Sequence, residues 1–195
     1  TKGKATSKKK NDVMLTRNTY DLGFYTGSML QSIPLGQKTK CTMKYHAQVQ
    51  LDSDFGGTGL FNFRLNSIFD PNKTDIGRKA RGFDELMAFY NKYVVIGARI
   101  TASYHPGDSG VVGIVLSSNK SPVISTDMND ILEQGYCRYA LVNPNQDQSV
   151  RIDCNPNKFL GIKNPLDDDN CHGDKSTTSD NNPIEQVLAT LFYRA

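Results

Sequence analysis

The chain has 195 residues, 37% apolar and 22% charged, with a formal net charge of +3. That length buries a sizeable core without disulfides or metals. No run approaches the roughly 20 apolar residues of a membrane span, and no signal-peptide pattern opens the sequence; because it begins with Thr1, the natural start is expected upstream. Charge is uneven. Residues 1–44 hold nine basic and two acidic residues (+7), the remainder fourteen and eighteen (−4), so a nearly neutral body carries a basic leading arm.

The arm, residues 1–38, contains Lys2, Lys4, Lys8, Lys9, Lys10 and Arg17 among Gly, Ser and Thr. Such a segment cannot pack a core. It can neutralise phosphates by counterion release, a strong and salt-dependent attraction blind to base sequence. A solubilising tail or a nuclear-localisation signal uses the same residues. Residues 13–36 are loosely patterned, with Tyr20, Phe24 and Tyr25 placed either to stack on unpaired bases or to anchor the arm under a neighbour. From 39 to 51 the pattern is strict. Cys41, Met43, Tyr45, Ala47, Val49 and Leu51 alternate with polar residues, the cleanest predicted strand in the chain.

A turn at residues 52–57 leads to Phe61, Phe63 and Leu65, which alternate with Asn62, Arg64 and Asn66. Pro71 ends that strand. Phe83, Leu86, Met87 and Tyr90 then fall on one helical stripe, and Val94, Ile96, Ala98, Ile100 and Ala102 restore the alternation. The turn His105–Gly110 precedes a strand at Val111–Ser117, and Ser125 is the expected cap of a short helix carrying Met128, Ile131 and Leu132. Further strands are expected at Tyr136–Val142, over Val150, Ile152 and Cys154, and at Val187–Tyr193, with a long polar loop at residues 155–183. Seven strands and two short helices without βαβ spacing indicate an all-β, antiparallel sandwich or barrel, of which the jelly roll is the commonest large member.

Chemistry-bearing motifs are sparse. Gly107-Asp108-Ser109-Gly110 spells the surroundings of a chymotrypsin-type nucleophile, and His46 precedes it in the right chain order. Val111 breaks the match, His46 lies on the polar face of a strand, and the tetrapeptide is an ordinary hairpin turn, so a serine protease around Ser109 is the weakest alternative. Asp167, Asp168 and Asp169 could offer oxygen ligands to calcium but lack EF-hand spacing; no metal site and no cofactor are expected. Asn72-Lys73-Thr74 is a glycosylation sequon in spelling only. Cys41, Cys137, Cys154 and Cys171 form no CxxC pair. The first three sit in strand-like runs, where buried free thiols serve as small hydrophobes and fit a reducing compartment.

The run FRLNSIFDPN, followed by GFDELMAFYNKYVVIGARI, resembles the capsid proteins of circular single-stranded DNA viruses that encode a replication initiator, the circovirus-like group. KFLGIKNPLDDDN and TSDNNPIEQVLATLF carry a second match, and VVGIVLSS fits between them. The resemblance covers residues 40–195. It implies a single jelly roll of viral capsid type at residues 39–195, with two short helices in its loops. Copies would assemble into the smallest kind of icosahedral shell, of about 60 subunits. The arm, with Lys2, Lys4, Lys8, Lys9, Lys10 and Arg17, would then face packaged single-stranded DNA. The expected location is the virion, and the host nucleus during assembly. Loops 52–58, 70–82 and 164–183 are candidates for an unidentified host receptor. The family carries one more long strand after the one ending near Tyr193 and a denser basic arm, so that strand is expected beyond residue 195 or its position is filled by another segment. A nucleic-acid-binding β-barrel that forms no shell is the competing expectation.

Overall fold

The computed structural model describes residues 38–52, 57–74, 78–123, 127–174 and 182–195. By backbone contacts the chain divides between Cys41 and Thr42, and the architecture below is that of Thr42–Ala195. It is mostly β. The strands are β1 (Gly59–Arg64), β2 (Lys92–Val94), β3 (Ala98–Tyr104), β4 (Gly110–Ser118), β5 (Cys137–Val142), β6 (Gln148–Cys154), β7 (His172–Asp174) and β8 (Val187–Arg194). Among the described residues, one-turn helices interrupt them at α1 (Phe83–Met87), α2 (Met128–Leu132) and α3 (Pro156–Leu160).

All pairings are antiparallel. β1, β8, β4 and β5 form a four-stranded sheet in that order, while β2 pairs with β7 and β3 with β6 as separate two-stranded sheets. The last strand thus lies between the first and the fourth. Its inward residues Ala189 and Leu191 join Val112, Ile114 and Leu116 of β4, Val142 of β5, and Val150 and Ile152 of β6 in one buried cluster. The opposite face of β4 and β8 is also covered. There Val115 and Phe192 pack with Val123, Met128 and Ile131, the apolar side of α2. Burial on both faces explains why VVGIVL and VLATLF read as nearly continuous apolar runs rather than as alternation.

Gly113 has a geometric role in that sheet. It stands opposite Phe192 in register, and a Cβ built there would lie 2.4 Å from the phenylalanine ring. Only glycine leaves room there for the ring and, at the same distance, for the Arg138 carbonyl oxygen.

Several expectations need correction. The cleanest predicted strand, residues 39–51, joins no sheet among the described residues. Met43, Tyr45, Ala47, Val49 and Leu51 are half-buried and the intervening residues exposed, so the faces are as expected, and Val49 and Leu51 pack on the main cluster. Yet no described residue pairs with it in a ladder, because periodicity reports burial and not hydrogen-bond partners. The alternation from Val94 to Ala102 is two strands. Val94 pairs with His172 and Ala98 with Cys154, so the chain changes partner around Gly97. The polar loop at residues 155–183 contains α3, a 3-10 turn at Asp169–Cys171 and β7. The start of α3 is capped by the Asn155 side chain, which accepts from the Lys158 amide, and its end by left-handed Gly161. Ser125 lies outside the described residues; Asp127 caps α2, accepting from the Asn129 amide at 3.0 Å. The thiols also differ from expectation. Cys41 is exposed, Cys137 and Cys154 are half-buried, and Cys171, from the polar loop, is the buried one.

Candidate functional site

The two sequence runs that carry the resemblance meet in space. Arg64, at the end of β1, is a buried cation, and its Nη1 donates to Asp70 Oδ2 at 2.9 Å. The same nitrogen reaches the carbonyl oxygens of Asp70 (3.3 Å) and Asn72 (3.2 Å), while Nε donates to Gln186 Oε1 at 3.1 Å. Two residues on, the Asn66 amide donates to the Glu185 carbonyl at 2.7 Å and accepts from the Val187 amide at 3.0 Å. Ser67 Oγ donates to Asn182 Oδ1 at 2.5 Å. The contacts to Gln186, Glu185, Val187 and Asn182 each span well over 100 residues of sequence. Polar residues of RLNS and NPIEQ therefore stitch β1 to the approach of β8, which fixes where the loop after Asp70 leaves the body. Buried polar groups persist only when satisfied in this way. Their role is architectural.

The loop so anchored is held again further on. Arg78 donates to the His46 carbonyl at 2.5 Å, and its guanidinium lies 5.6 Å from the Tyr45 ring centre. Lys79 sits over Phe69 and Phe83, at 5.3 and 5.7 Å, and pairs with Asp84 at 2.6 Å. These cation–π and ionic contacts give the described parts of the segment from Asp70 to Arg81 a defined shape. A recognition surface needs such definition.

Large apolar side chains remain in water. Leu141 is 77% exposed and Tyr139 58% exposed on β5, and Phe89, Ile184 and Leu166 are exposed on connecting segments. Among the described residues β5 is an edge of the four-stranded sheet, paired on one side with β4. An edge strand with outward apolar residues invites pairing or packing with another chain. Beside it, Tyr136 makes an edge-on contact with Phe159, ring centres 5.0 Å apart. The short spacing of Tyr136, Tyr139 and Leu141 was visible in the sequence, but which face of this strand stays uncovered depends on α2.

The sequence-derived site residues fare differently. Lys2, Lys4, Lys8, Lys9, Lys10 and Arg17, with Tyr20, Phe24 and Tyr25, lie outside the described residues. The three aspartates point to separate partners. Asp167 bonds the Asn164 side chain, Asp168 caps the 3-10 turn by accepting from the Asn170 amide, and Asp169 pairs with Lys92 at 2.8 Å. That pairing lowers the Asp169 pKa and raises that of Lys92. Among the described residues, no group of three or more His, Cys, Asp or Glu side chains is placed to hold a metal. Ser109 lies exposed ahead of β4 and His46 on the solvent side of the segment before β1; no hydrogen bond joins them. The imidazole near the Ser109 turn is His105, which bonds Asp147 in the open.

Strongly shifted groups lie in the packing. Burial raises the pKa of the Tyr104 hydroxyl, which donates to the Gly113 carbonyl at 2.5 Å. Burial also pushes the Cys154 thiol up to about 11. Both are desolvation effects inside the β framework. Comparison with protein-family models, curated proteins and solved structures found no match.

Proposed function

We propose that this chain is a structural capsid subunit, a single jelly roll that self-assembles into a small closed shell and packages single-stranded DNA through its basic arm. The observation that carries this reading is the uncovered apolar edge at β5. Leu141 and Tyr139 project into water from a strand that has one sheet neighbour among the described residues, a surface suited to burial against another copy. Strand order supports it. A jelly roll folds a long hairpin back on itself, so late strands lie beside early ones, and β8 between β1 and β4 has that placement.

In this reading each subunit contributes modest contacts that symmetry multiplies. Lys2, Lys4, Lys8, Lys9, Lys10 and Arg17 neutralise phosphates without reading sequence. The loop clamped by Arg64, Arg78 and Lys79 serves as an outer or inter-subunit surface, and receptor contact falls to it and its neighbours. The subunit resides in the virion and assembles in the host nucleus. The test is sedimentation of purified protein with analysis of bound nucleic acid. Particles should form, and deletion of residues 1–10 should reduce packaged nucleic acid more than particle yield. Salt-sensitive DNA binding by a protein that remains monomeric would instead favour a nucleic-acid-binding β-barrel.

A further inference from the structure

Tyr136 and Arg138 stand on the side of β5 turned away from Tyr139 and Leu141. Register sets this. Arg138 lies opposite Ile114 and Ala140 opposite Val112, and both of those β4 residues belong to the main core cluster. Cys137 lies opposite Val115, which belongs to the cluster under α2, and Tyr139 and Leu141 alternate with it on that face. Tyr136 continues the first set. Its carbonyl accepts from the Leu116 amide at 2.9 Å, one rung beyond the pair Val115–Cys137.

Tyr136 is 62% exposed and stands edge-on to Phe159 of α3, ring centres 5.0 Å apart and planes at 67°. Phe159 packs on the main cluster, and α3 is capped at both ends by Asn155 and Gly161. A fixed ring therefore supports the tyrosine while most of its surface meets water. Such a ring is a stacking platform, because every base presents a π-face. Cations flank it. Arg138 follows about 7 Å further along the strand, and Lys158 is the neighbour of Phe159 in α3; both are exposed. Among the described residues neither is paired with a carboxylate. Asp153, which precedes α3, is engaged by Arg99 and Arg151 at 2.5 and 2.9 Å. Glu133 ends α2, on the opposite face of the sheet.

We propose that Tyr136, Phe159, Arg138 and Lys158 form a binding site for single-stranded nucleic acid on the body of the chain. A base stacks on Tyr136, and the phosphates on either side of it meet the two cations. The inference rests on the nucleic-acid part of the function proposed above and adds a contact that the arm does not supply. Cations without carboxylate partners beside an exposed aromatic ring suit a strand that carries one charge and one π-face per nucleotide. Stacking tolerates any base, so the site holds the strand without selecting its sequence.

The test measures binding of the 195-residue protein to an oligothymidylate and to the same oligomer made of abasic sugars. Phosphates are common to both, so the ratio of affinities isolates stacking. Tyr136→Ala should keep the parent's unfolding midpoint, weaken the thymidine oligomer about tenfold and leave the abasic one unchanged. Tyr136→Phe should bind as the parent does. Arg138→Gln should lower the slope of log affinity against log salt by about one. Deleting residues 1–10 should weaken both oligomers alike, so a failure of the arm and a failure of this site are told apart. Equal binding by the parent and Tyr136→Ala, an equal loss with both oligomers, or altered sedimentation with unchanged DNA binding, the mark of a contact between copies, would each overturn the proposal.

Discussion

The four-stranded sheet and the layer opposite it are built from the same kind of sequence and reach different ends. In the first, β4 and β8 are laddered on both sides and buried on both faces, Val112, Ile114, Val187 and Phe192 all being fully enclosed. In the second, among the described residues, β3 and β6 pair only with each other and segment 42–51 has the pattern of a strand without a ladder partner. Hydrophobic periodicity fixes which side chains turn inward. Backbone partners decide whether the resulting strand is rigid.

This contrast can be tested residue by residue. The largest effect is expected at the stitch between β1 and β8. Arg64→Ala removes a cation paired with buried Asp70 and should destabilise by about 3–5 kcal/mol in urea unfolding. The double variant Arg64→Met with Asp70→Leu should recover much of that loss, since it removes both charges together. Next comes the same truncation in the two layers. Ile114→Ala, in fully enclosed β4, should cost about 2–5 kcal/mol. Ile100→Ala, half-buried in β3, should cost about 1 kcal/mol. Equal costs would erase the distinction between the layers. Between these two, Gly113→Ala presses on the Phe192 ring and the Arg138 carbonyl oxygen and should cost about 1–3 kcal/mol, of which Phe192→Leu recovers only the ring's part.

The mildest effect is a pH dependence in the second layer. The Cys154 pKa is raised by burial from 9.0 to about 11, so the folded state favours the neutral thiol. Its contribution to stability is complete below pH 9 and is lost as pH rises toward 11. Unfolding midpoints followed from pH 8 upward should fall less steeply in Cys154→Ala than in the parent chain. An identical slope would show that this thiol ionises equally in both states.

The legible part of this fold was the part written in local pattern. The faces of segment 42–51, the stripe of α1 on Phe83 and Met87, and the apolar run of β4 all followed from spacing. The change of partner near Gly97 was hidden because alternation continues through it. The helix α3 was hidden by polar composition, although Asn155, Pro156 and Gly161 are ordinary start and stop signals. The stitch made by Arg64, Asn66 and Ser67 could not be read at all. Its partners lie more than 100 residues away, and in an alternating strand Arg64 and Asn66 look like the solvent-facing set. The uncovered state of Tyr139 and Leu141 likewise depends on where α2 stops covering the sheet.

The proposed assembly through surfaces that one copy leaves uncovered is tested most directly by negative-stain microscopy of the purified protein. Closed, uniform particles are the predicted result, with Leu141→Asp reducing their number while the unfolding midpoint stays near that of the parent. A protein that remains monomeric at every salt concentration, and whose assembly state is indifferent to that substitution, would contradict it.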